Sequence, residues 1–269
     1  MPLSPEYLSQ IQREDQFLLA FPRSGSRWLR FLLSDVFNQY LGQEFMPVYD
    51  AMFARQFGAR VPQIKGKVFL SEDVIPDVHT HPYTNCVLPR YGIRPSFRSH
   101  HLTGVLQRSQ GAMIGVFRSP VLVLGSYYHF ARQRKHIGES VSLREFSQWK
   151  LPHWMDHVQI LLEARRQDPG RFLLMHYTGK MPFSASEVEA AAQHFGIPCQ
   201  AGAAEAAMAR CLQHLAQVNA HPSTTFPRGE NVQSLALIPD VVRQEIEAAT
   251  ASVYEEAVAA AVGNLPVTK

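Results

Sequence analysis

The chain has 269 residues, of which 46% are hydrophobic and 18% charged; this composition is that of a folded globular protein and excludes a largely disordered chain. The 26 lysines and arginines exceed the 23 aspartates and glutamates only slightly, which excludes a general nucleic-acid coat but permits a local anion site. Three cysteines without a CxxC pair, no apolar signal core and no membrane-long apolar run predict a cytoplasmic protein without a membrane span.

The first predicted unit is a strand, a short polar loop and a helix. Residues 17–21 form a continuous apolar run that ends at Pro22, which is typical of a strand buried on both faces of a parallel sheet. Residues 28–41 carry apolar side chains at helical spacing, and Gly42 is a suitable stop. A strand therefore leads through a polar loop into an amphipathic helix.

The same unit recurs, with a strand over 112–117, a turn at 118–120 and a helix over 121–134. Further strands are predicted at 68–70, 96–99 and 172–176, and further helices at 142–149, 152–167, 184–195, 202–217 and 239–261. Strands that alternate with helices predict an α/β fold with a central, mostly parallel sheet flanked by helices. In such sheets, ligands bind at the carboxyl ends of the strands.

The polar loop at 22–27 has the composition of an anion cradle. Backbone N–H groups at a helix N-terminus point outward, and the helix dipole adds partial positive charge. Gly25 lets the backbone approach a ligand, the serines add donors, and Arg23 can bind two oxygens. The loop is not a Walker A motif, which needs GxxxxGK[ST]. A surface turn with capping serines is the alternative interpretation.

A second candidate anion site follows the strand at 112–117. Arg118 stands at the strand end, and Ser126 lies eight residues later in an otherwise apolar helical stretch. A strand-end arginine is usually solvated, and a serine in an apolar helix usually bonds to its own backbone. Together the two side chains could hold one phosphate, but their spacing alone leaves both interpretations open.

The two loops together resemble those of sulfotransferases that use 3′-phosphoadenosine 5′-phosphosulfate (PAPS). The family's Tyr/Phe-Pro-Lys/Arg-Ser-Gly-x-x-Trp-Leu motif matches residues 21–29. Its second motif, a strand-end arginine, a serine eight residues later and then Tyr-Tyr-His-Phe, matches residues 118–130. The resemblance extends over residues 16–135 and, more weakly, over 171–231. It implies a P-loop-like three-layer fold, one sulfotransferase domain over 1–269 and sulfuryl transfer that leaves adenosine 3′,5′-bisphosphate (PAP) as the product.

The resemblance implies that the first loop and the start of its helix hold the 5′-phosphosulfate. The residues so matched are Arg23, Ser24, Gly25, Ser26, Arg27 and Trp28. Within this set, Arg23 would stabilise charge on the transferring group, and Trp28 would stack on the adenine. Arg23 stands where many family members have lysine; arginine keeps the positive charge but changes the geometry of the contact.

The resemblance assigns the 3′-phosphate to Arg118 and Ser126. Near the C-terminus, Arg228 and Gly229 match part of the family's Arg-Lys-Gly motif, in which Pro227 here replaces one basic residue. Tyr177, after the strand at 172–176, matches a tyrosine that contacts the adenine. Packing of this tyrosine on the core is the alternative interpretation.

The resemblance also places a catalytic histidine shortly before the second motif. In the segment 97–102, Arg98 and Ser99 align His100 with the family's general base. Leu102 follows His101 rather than His100, so His101 is the alternative base. A neutral imidazole titrates near the working pH and can remove the acceptor proton. The mechanism requires no metal.

Rival classes of protein predict different residues. A P-loop kinase would need a Walker lysine and a Mg²⁺-binding Ser/Thr after the loop, which this loop lacks. A silent nucleotide-binding scaffold would lack the base, but His100 stands in the expected place. A Rossmann-type methyltransferase or glycosyltransferase would need a different first loop, such as GxGxxG.

Acceptor specificity is expected to lie in segments laid over the sheet. Residues 43–111 and 132–155 are interpreted as the loops and helices that cover the substrate, and 1–13 and 263–269 as flexible ends. The aromatic residues of the covering segments favour a small-molecule hydroxyl or amine, and the arginines in 43–111 keep a glycan acceptor open. Cytoplasmic family members often form homodimers, and no nucleic-acid partner is expected.

Overall fold

The computed structural model describes residues 11–40, 42, 96–100, 102–179, 183–219 and 238–262, without the side chains of 27, 96–99, 214–219 and 262. The described strands are β1 Gln16–Ala20, β2 Ser96–Ser99, β3 Met113–Arg118 and β4 Phe172–Tyr177. The described helices are α1 Ser26–Tyr40, α2 Leu102–Arg108, α3 Pro120–Gln133, α4 Leu143–Gln167, α5 Ala185–His194, α6 Ala203–Asn219 and α7 Asp240–Val262.

The four described strands form one sheet in the order β2–β1–β3–β4. β1 and β2 pair in parallel, with Gln16 opposite Ser96 and Leu19 opposite Ser99. Every residue of β1 and of β3 is buried, as expected for central strands of a parallel sheet flanked by helices. The predicted α/β class is confirmed, and the predicted strand at 68–70 lies outside the described residues.

Both predicted strand–loop–helix units are present. β1 leads through residues 21–25 into α1, whose apolar stripe of Leu29, Leu32, Leu33 and Val36 is buried. β3 leads through Ser119 alone into α3, which begins at Pro120. The ring of a proline fixes the backbone angle that a first helical position needs. Each unit therefore brings a helix N-terminus close to the carboxyl end of a buried strand.

The chain packs as two compact units, the first made of 1–19, 27–114 and 183–228 and the second of 20–26, 115–182 and 229–269. In the first unit, α5 packs against α6. The buried Asp35 carboxylate of α1 accepts hydrogen bonds from Arg210 of α6, at 3.0 Å from Nε and 2.6 Å from Nη2. Gln39, one turn after Asp35, donates to the carbonyl of Ala203 at 3.0 Å. Hydrogen bonds therefore link α1 to α6.

The second unit contains α3, α4 and α7, which pack on one another, and α4 and α7 also pack on β4. A shared apolar cluster joins the three helices; its members are Val121, Leu124, Leu143, Ile238, Val242 and Ile246. Full burial of one such side chain contributes about 1.5–3 kcal/mol. The apolar cluster is therefore a major source of stability for the second unit.

One helix differs from its prediction. Sequence patterning placed a break before Pro152, with helices at 142–149 and 152–167, but α4 runs without interruption through it. A capping box starts the helix, since the Ser142 side chain accepts from the Glu145 amide and Glu145 accepts from the Ser142 amide. Buried side chains on both sides of the proline, including Phe146 and Trp154, hold one continuous helix despite the hydrogen bond that proline removes. The two-helix prediction was wrong.

Among the described helices, none is both long and apolar enough to cross a membrane.

Candidate anion-binding site in the second unit

The loop between β1 and α1 has a backbone that few sequences adopt. Arg23 has φ +73° and Gly25 has φ +93°, both in the left-handed region that side chains with a Cβ disfavour. The Ser24 amide donates to the Phe21 carbonyl at 3.2 Å and closes the turn. A non-glycine residue held at positive φ costs roughly 1–3 kcal/mol, and such residues cluster at active sites and ligand-binding loops.

Gly25 is required by its neighbour as well as by its φ angle. A Cβ placed on Gly25 would overlap the ring of Tyr177, the last residue of β4. The loop backbone therefore lies directly against the tyrosine ring. The absence of a side chain at Gly25 is therefore what allows the Tyr177 ring to pack on the loop.

The Arg23 side chain reaches from the first loop to the second motif. Its Nε donates to the Ser126 hydroxyl at 3.0 Å, and its guanidinium carbon lies 5.2 Å from the centre of the Phe130 ring. Sequence analysis assigned Arg23 and Ser126 to opposite ends of a nucleotide. The structure brings the two side chains into direct contact.

Arg118, the last residue of β3, is only 3% exposed. Its Nη1 donates to the Arg23 carbonyl at 3.2 Å, and its guanidinium carbon lies 5.4 Å from the centre of the Tyr177 ring. Burial lowers the pKa of Arg118, and the electrostatic effects of Tyr177 and Tyr254 partly offset this. Arginine nevertheless stays charged in proteins. Arg118 therefore places a desolvated positive charge beside the first loop.

Ser24 carries the most informative buried hydroxyl of the loop. The residue is fully buried, and its Oγ has no hydrogen-bond partner among the described residues. A buried polar group left in this state costs about 1–3 kcal/mol. A phosphate or sulfate oxygen bound in the loop would satisfy the hydroxyl. Together with Arg23, Arg118 and the positive end of α1, Ser24 forms a site suited to a polyanion.

The other predicted site residues fall into two groups. Ser26 is buried at the start of α1, and Trp28 is buried with its ring edge-on to Phe31 at 5.8 Å. His100 directly follows β2 and is half-buried. The Arg27 side chain, His101, Arg228 and Gly229 lie outside the described residues. The roles assigned to all of these residues stay predictions.

Two side chains at the site were not singled out from the sequence. Phe130 lies beside the Arg23 guanidinium, and its place in the Tyr-Tyr-His-Phe stretch was a usable signal. Tyr254 of α7 interacts electrostatically with Arg118. No local pattern marks Tyr254, because it lies 136 residues after Arg118 in a regular helix.

The model of the sulfotransferase domain family matches residues 13–221. Because this match covers more than half of the chain, the chain belongs to the sulfotransferase family and is a transferase enzyme. Among curated protein sequences, none matches the chain.

Solved structures of sulfotransferases are similar to the chain. A mouse sulfotransferase complexed with PAP is 15% identical, with a TM-score of 0.59 over 97% of this chain and 92% of the mouse protein. A retinol dehydratase in complex with androsterone and inactive cofactor PAP is 15% identical, with a TM-score of 0.49 over 94% and 82%. The sulfotransferase domain of a Synechococcus olefin synthase is 15% identical, with a TM-score of 0.43 over 88% and 97%. The mouse enzyme shows the fold.

Within the described residues, no group of three or more His, Cys, Asp or Glu side chains is placed to hold a metal ion. The metal-free mechanism, the single domain, the homodimer and the cytoplasmic location all stay predictions.

Proposed function

We propose that the chain transfers a sulfuryl group from PAPS to a hydroxyl or amine of a small-molecule acceptor, with His100 as the general base. The observation that supports this most is that hydrogen bonds connect the two sequence motifs. Arg118 donates to the backbone of Arg23, and Arg23 donates to Ser126, so both sequence motifs meet at one place. A donor with phosphates at both its 5′ and 3′ positions suits two such motifs.

The residues at the site fit this nucleotide. The buried Ser24 hydroxyl and the amides at the start of α1 suit the 5′-phosphosulfate, and the missing Cβ of Gly25 lets the Tyr177 ring pack on the loop. Arg118 and Ser126 would bind the 3′-phosphate, and Arg228 and Gly229 are proposed to complete that contact. Tyr177, packed against Gly25, is proposed to contact the adenine, and Trp28 is proposed to stack on it.

The bound nucleotide supplies the sulfuryl group, which passes in line from the leaving phosphate oxygen to the acceptor oxygen. His100 takes the proton of the acceptor hydroxyl, so that the attacking oxygen gains electron density as its new bond forms. Arg23 provides a fixed positive charge where negative charge develops on the leaving oxygen. Positioning and electrostatics by the protein account for the rate, since none of its side chains needs to form a covalent bond.

The preference for a small-molecule acceptor rests on aromatic residues in the covering segments. Trp149 of α4, within 132–155, is 54% exposed. A large exposed ring is a suitable contact for an apolar alcohol or phenol. Its neighbour along the same helix, His153, adds a polar group that could contact a hydroxyl.

Transfer to a panel of acceptors tests the proposal directly. The purified protein is incubated with PAPS and either aliphatic alcohols, phenols, amines or oligosaccharides, and sulfated products are detected by mass spectrometry. Sulfation of an alcohol, phenol or amine supports the proposal. Sulfation of oligosaccharides alone would overturn the proposed acceptor class. If no acceptor in the panel is sulfated, all of the acceptor classes in it are overturned.

A further inference from the structure

Tyr254 lies on α7, beyond residue 221, where the match to the family model ends. Its hydroxyl shares a hydrogen bond of 2.9 Å with Nε2 of His176 on β4. A tyrosine hydroxyl that is partly withdrawn from water usually has such a partner. The contact ties the C-terminal helix to the strand that ends in Tyr177.

Tyr254 contacts two residues that each directly precede a residue of the anion site. His176 precedes Tyr177, and its ring stacks on Phe117 at 5.0 Å with an angle of 17° between the ring planes. Phe117 in turn precedes Arg118. The Tyr254 ring packs edge-on against both His176, at 5.6 Å, and Phe117, at 6.3 Å. One side chain thus contacts the residues before Arg118 and Tyr177 on two strands.

The pKa values of Tyr254 and Arg118 also depend on each other. Burial raises the pKa of Tyr254, and the nearby Arg118 charge lowers it in part. The phenol is therefore neutral at pH 7, so Tyr254 adds no charge of its own beside Arg118. Tyr254 is therefore linked to Arg118 through its contacts with His176 and Phe117 and not through a charge of its own.

We infer that Tyr254 is a positioning residue, whose hydrogen bond to His176 and ring contact with Phe117 hold the Arg118 guanidinium over Tyr177, ready for a 3′-phosphate. The inference rests on the proposed function. Because a preorganised cation loses less freedom on binding, fixing Arg118 strengthens the contact with the 3′-phosphate and leaves the 5′ end unaffected. Tyr254 therefore sets selectivity for nucleotides that carry a 3′-phosphate.

The test is calorimetric titration with PAP and with adenosine 5′-monophosphate, which lacks the 3′-phosphate. Loss of one net hydrogen bond corresponds to a change of about 2- to 12-fold in an equilibrium constant. Tyr254→Phe should raise the Kd for PAP by this factor and leave the Kd for the monophosphate unchanged. Thr250→Val is the matched control, because it removes the buried hydroxyl that donates to Ile246 on the same helix at 2.7 Å. Its ratio of the two Kd values should equal that of the wild type.

A second variant tests the same hydrogen bond from the other side. His176→Phe keeps a ring against Phe117 but cannot bond to Tyr254, so it should shift the ratio as Tyr254→Phe does. The double variant should shift it no further, because both changes remove one hydrogen bond. If Tyr254→Phe does not fold, His176→Phe decides the outcome alone.

Failure of the inference and failure of the proposed function give different results. If the wild type prefers PAP and Arg118→Ala abolishes the preference, but Tyr254→Phe or His176→Phe weakens both nucleotides equally or neither, the inference is overturned. In the Arg118→Ala background, Tyr254→Phe should have no further effect on the ratio, and a further effect would also overturn it. A wild type that binds PAP no better than the monophosphate would instead contradict the proposed function.

Discussion

The two units contain buried charges of different kinds. In the first unit, Asp35 is 3% exposed and accepts hydrogen bonds from Arg210 and from Gln39, at 3.3 Å for the latter. In the second unit, Arg118 is equally buried but is set against a backbone carbonyl of the first loop and the ring of Tyr177. Burial is the largest cause of the pKa change in both groups, raising the pKa of Asp35 and lowering that of Arg118.

The difference lies in what surrounds each charge. Asp35 sits between two helices that its hydrogen bonds hold together, so its charge serves the stability of the first unit. Arg118 stands at a strand end, beside a loop with a left-handed arginine and a buried serine hydroxyl. These are features of a site prepared for an anion. Substitution of Asp35 should therefore change stability, whereas substitution of Arg118 should change ligand affinity.

His100 tests the comparison most severely, because the proposed general base lies in the first unit. His100→Ala should lower kcat by about 10²- to 10⁴-fold, the usual contribution of a general base. The affinity for PAP should stay within twofold, and steady-state kinetics with parallel calorimetry check both values. His101→Ala is the control. If that variant loses kcat and His100→Ala does not, the base is misassigned.

Arg118→Ala should weaken PAP binding by about 30- to 1,000-fold, because a charge-assisted contact to phosphate is lost. The free energy of unfolding should change by less than about 1 kcal/mol, since removal of a desolvated charge offsets the lost packing. Calorimetry and urea unfolding measure the two effects. Arg118→Lys should recover part of the affinity, as it restores the charge without the planar fork. Loss of stability with unchanged PAP affinity would make Arg118 a structural residue.

Asp35→Asn should have the opposite effects to Arg118→Ala, with lower stability and unchanged PAP affinity. Its free energy of unfolding should fall by about 2 kcal/mol, below the range for fully buried pairs because Arg210 is partly exposed. PAP affinity should not change. Glu256→Gln, which weakens the exposed pair with Arg166, is the control and should leave the stability close to that of the wild type. A drop in PAP affinity for Asp35→Asn would show that the two kinds of buried charge are not separate.

The pH dependence of stability sharpens the comparison through Asp15, at the start of β1. Burial raises the pKa of this carboxyl from 3.8 to about 6, although the Gln12 amide donates to it at 2.8 Å. The folded state therefore holds the proton more tightly than the unfolded state. Stability should fall as the pH rises from about 4 to 6, by about 1–3 kcal/mol for this group.

Urea unfolding of the wild type and of Asp15→Asn across this pH range checks the effect. The difference in unfolding free energy between them should change between pH 4 and pH 6 and be constant above pH 7. A difference that does not vary with pH would show that Asp15 is ionised throughout.

Sequence patterning could predict the parts of the fold that follow from local periodicity. β1, β3 and their helices are buried apolar runs followed by amphipathic stretches, and they lie within two residues of their predicted bounds. The break before Pro152 was predicted from the same kind of local rule, the spacing of apolar residues. That rule failed because buried side chains on both sides of the proline favour one helix. Tertiary packing outweighed a local rule.

The site was predictable where its residues lie in short motifs. The residues chosen from the two sequence motifs include Arg23, Gly25, Arg118 and Ser126. In the structure, Arg23 is hydrogen-bonded to both Arg118 and Ser126. The hydrogen bond between Arg23 and Ser126 was not predictable, because it joins residues 103 positions apart. Tyr254 was missed for the same reason, since a regular helix carries no signal of what its faces contact.

The central claim is that the site in the second unit binds a nucleotide with both a 5′- and a 3′-phosphate. Calorimetric titration of the wild-type protein with PAP, compared with ATP in the presence of Mg²⁺, tests it most directly. Tight binding of PAP and weak binding of ATP is the predicted result. Preference for ATP with Mg²⁺ would contradict the account and favour a kinase-like function, and binding of neither would contradict it in favour of a silent scaffold.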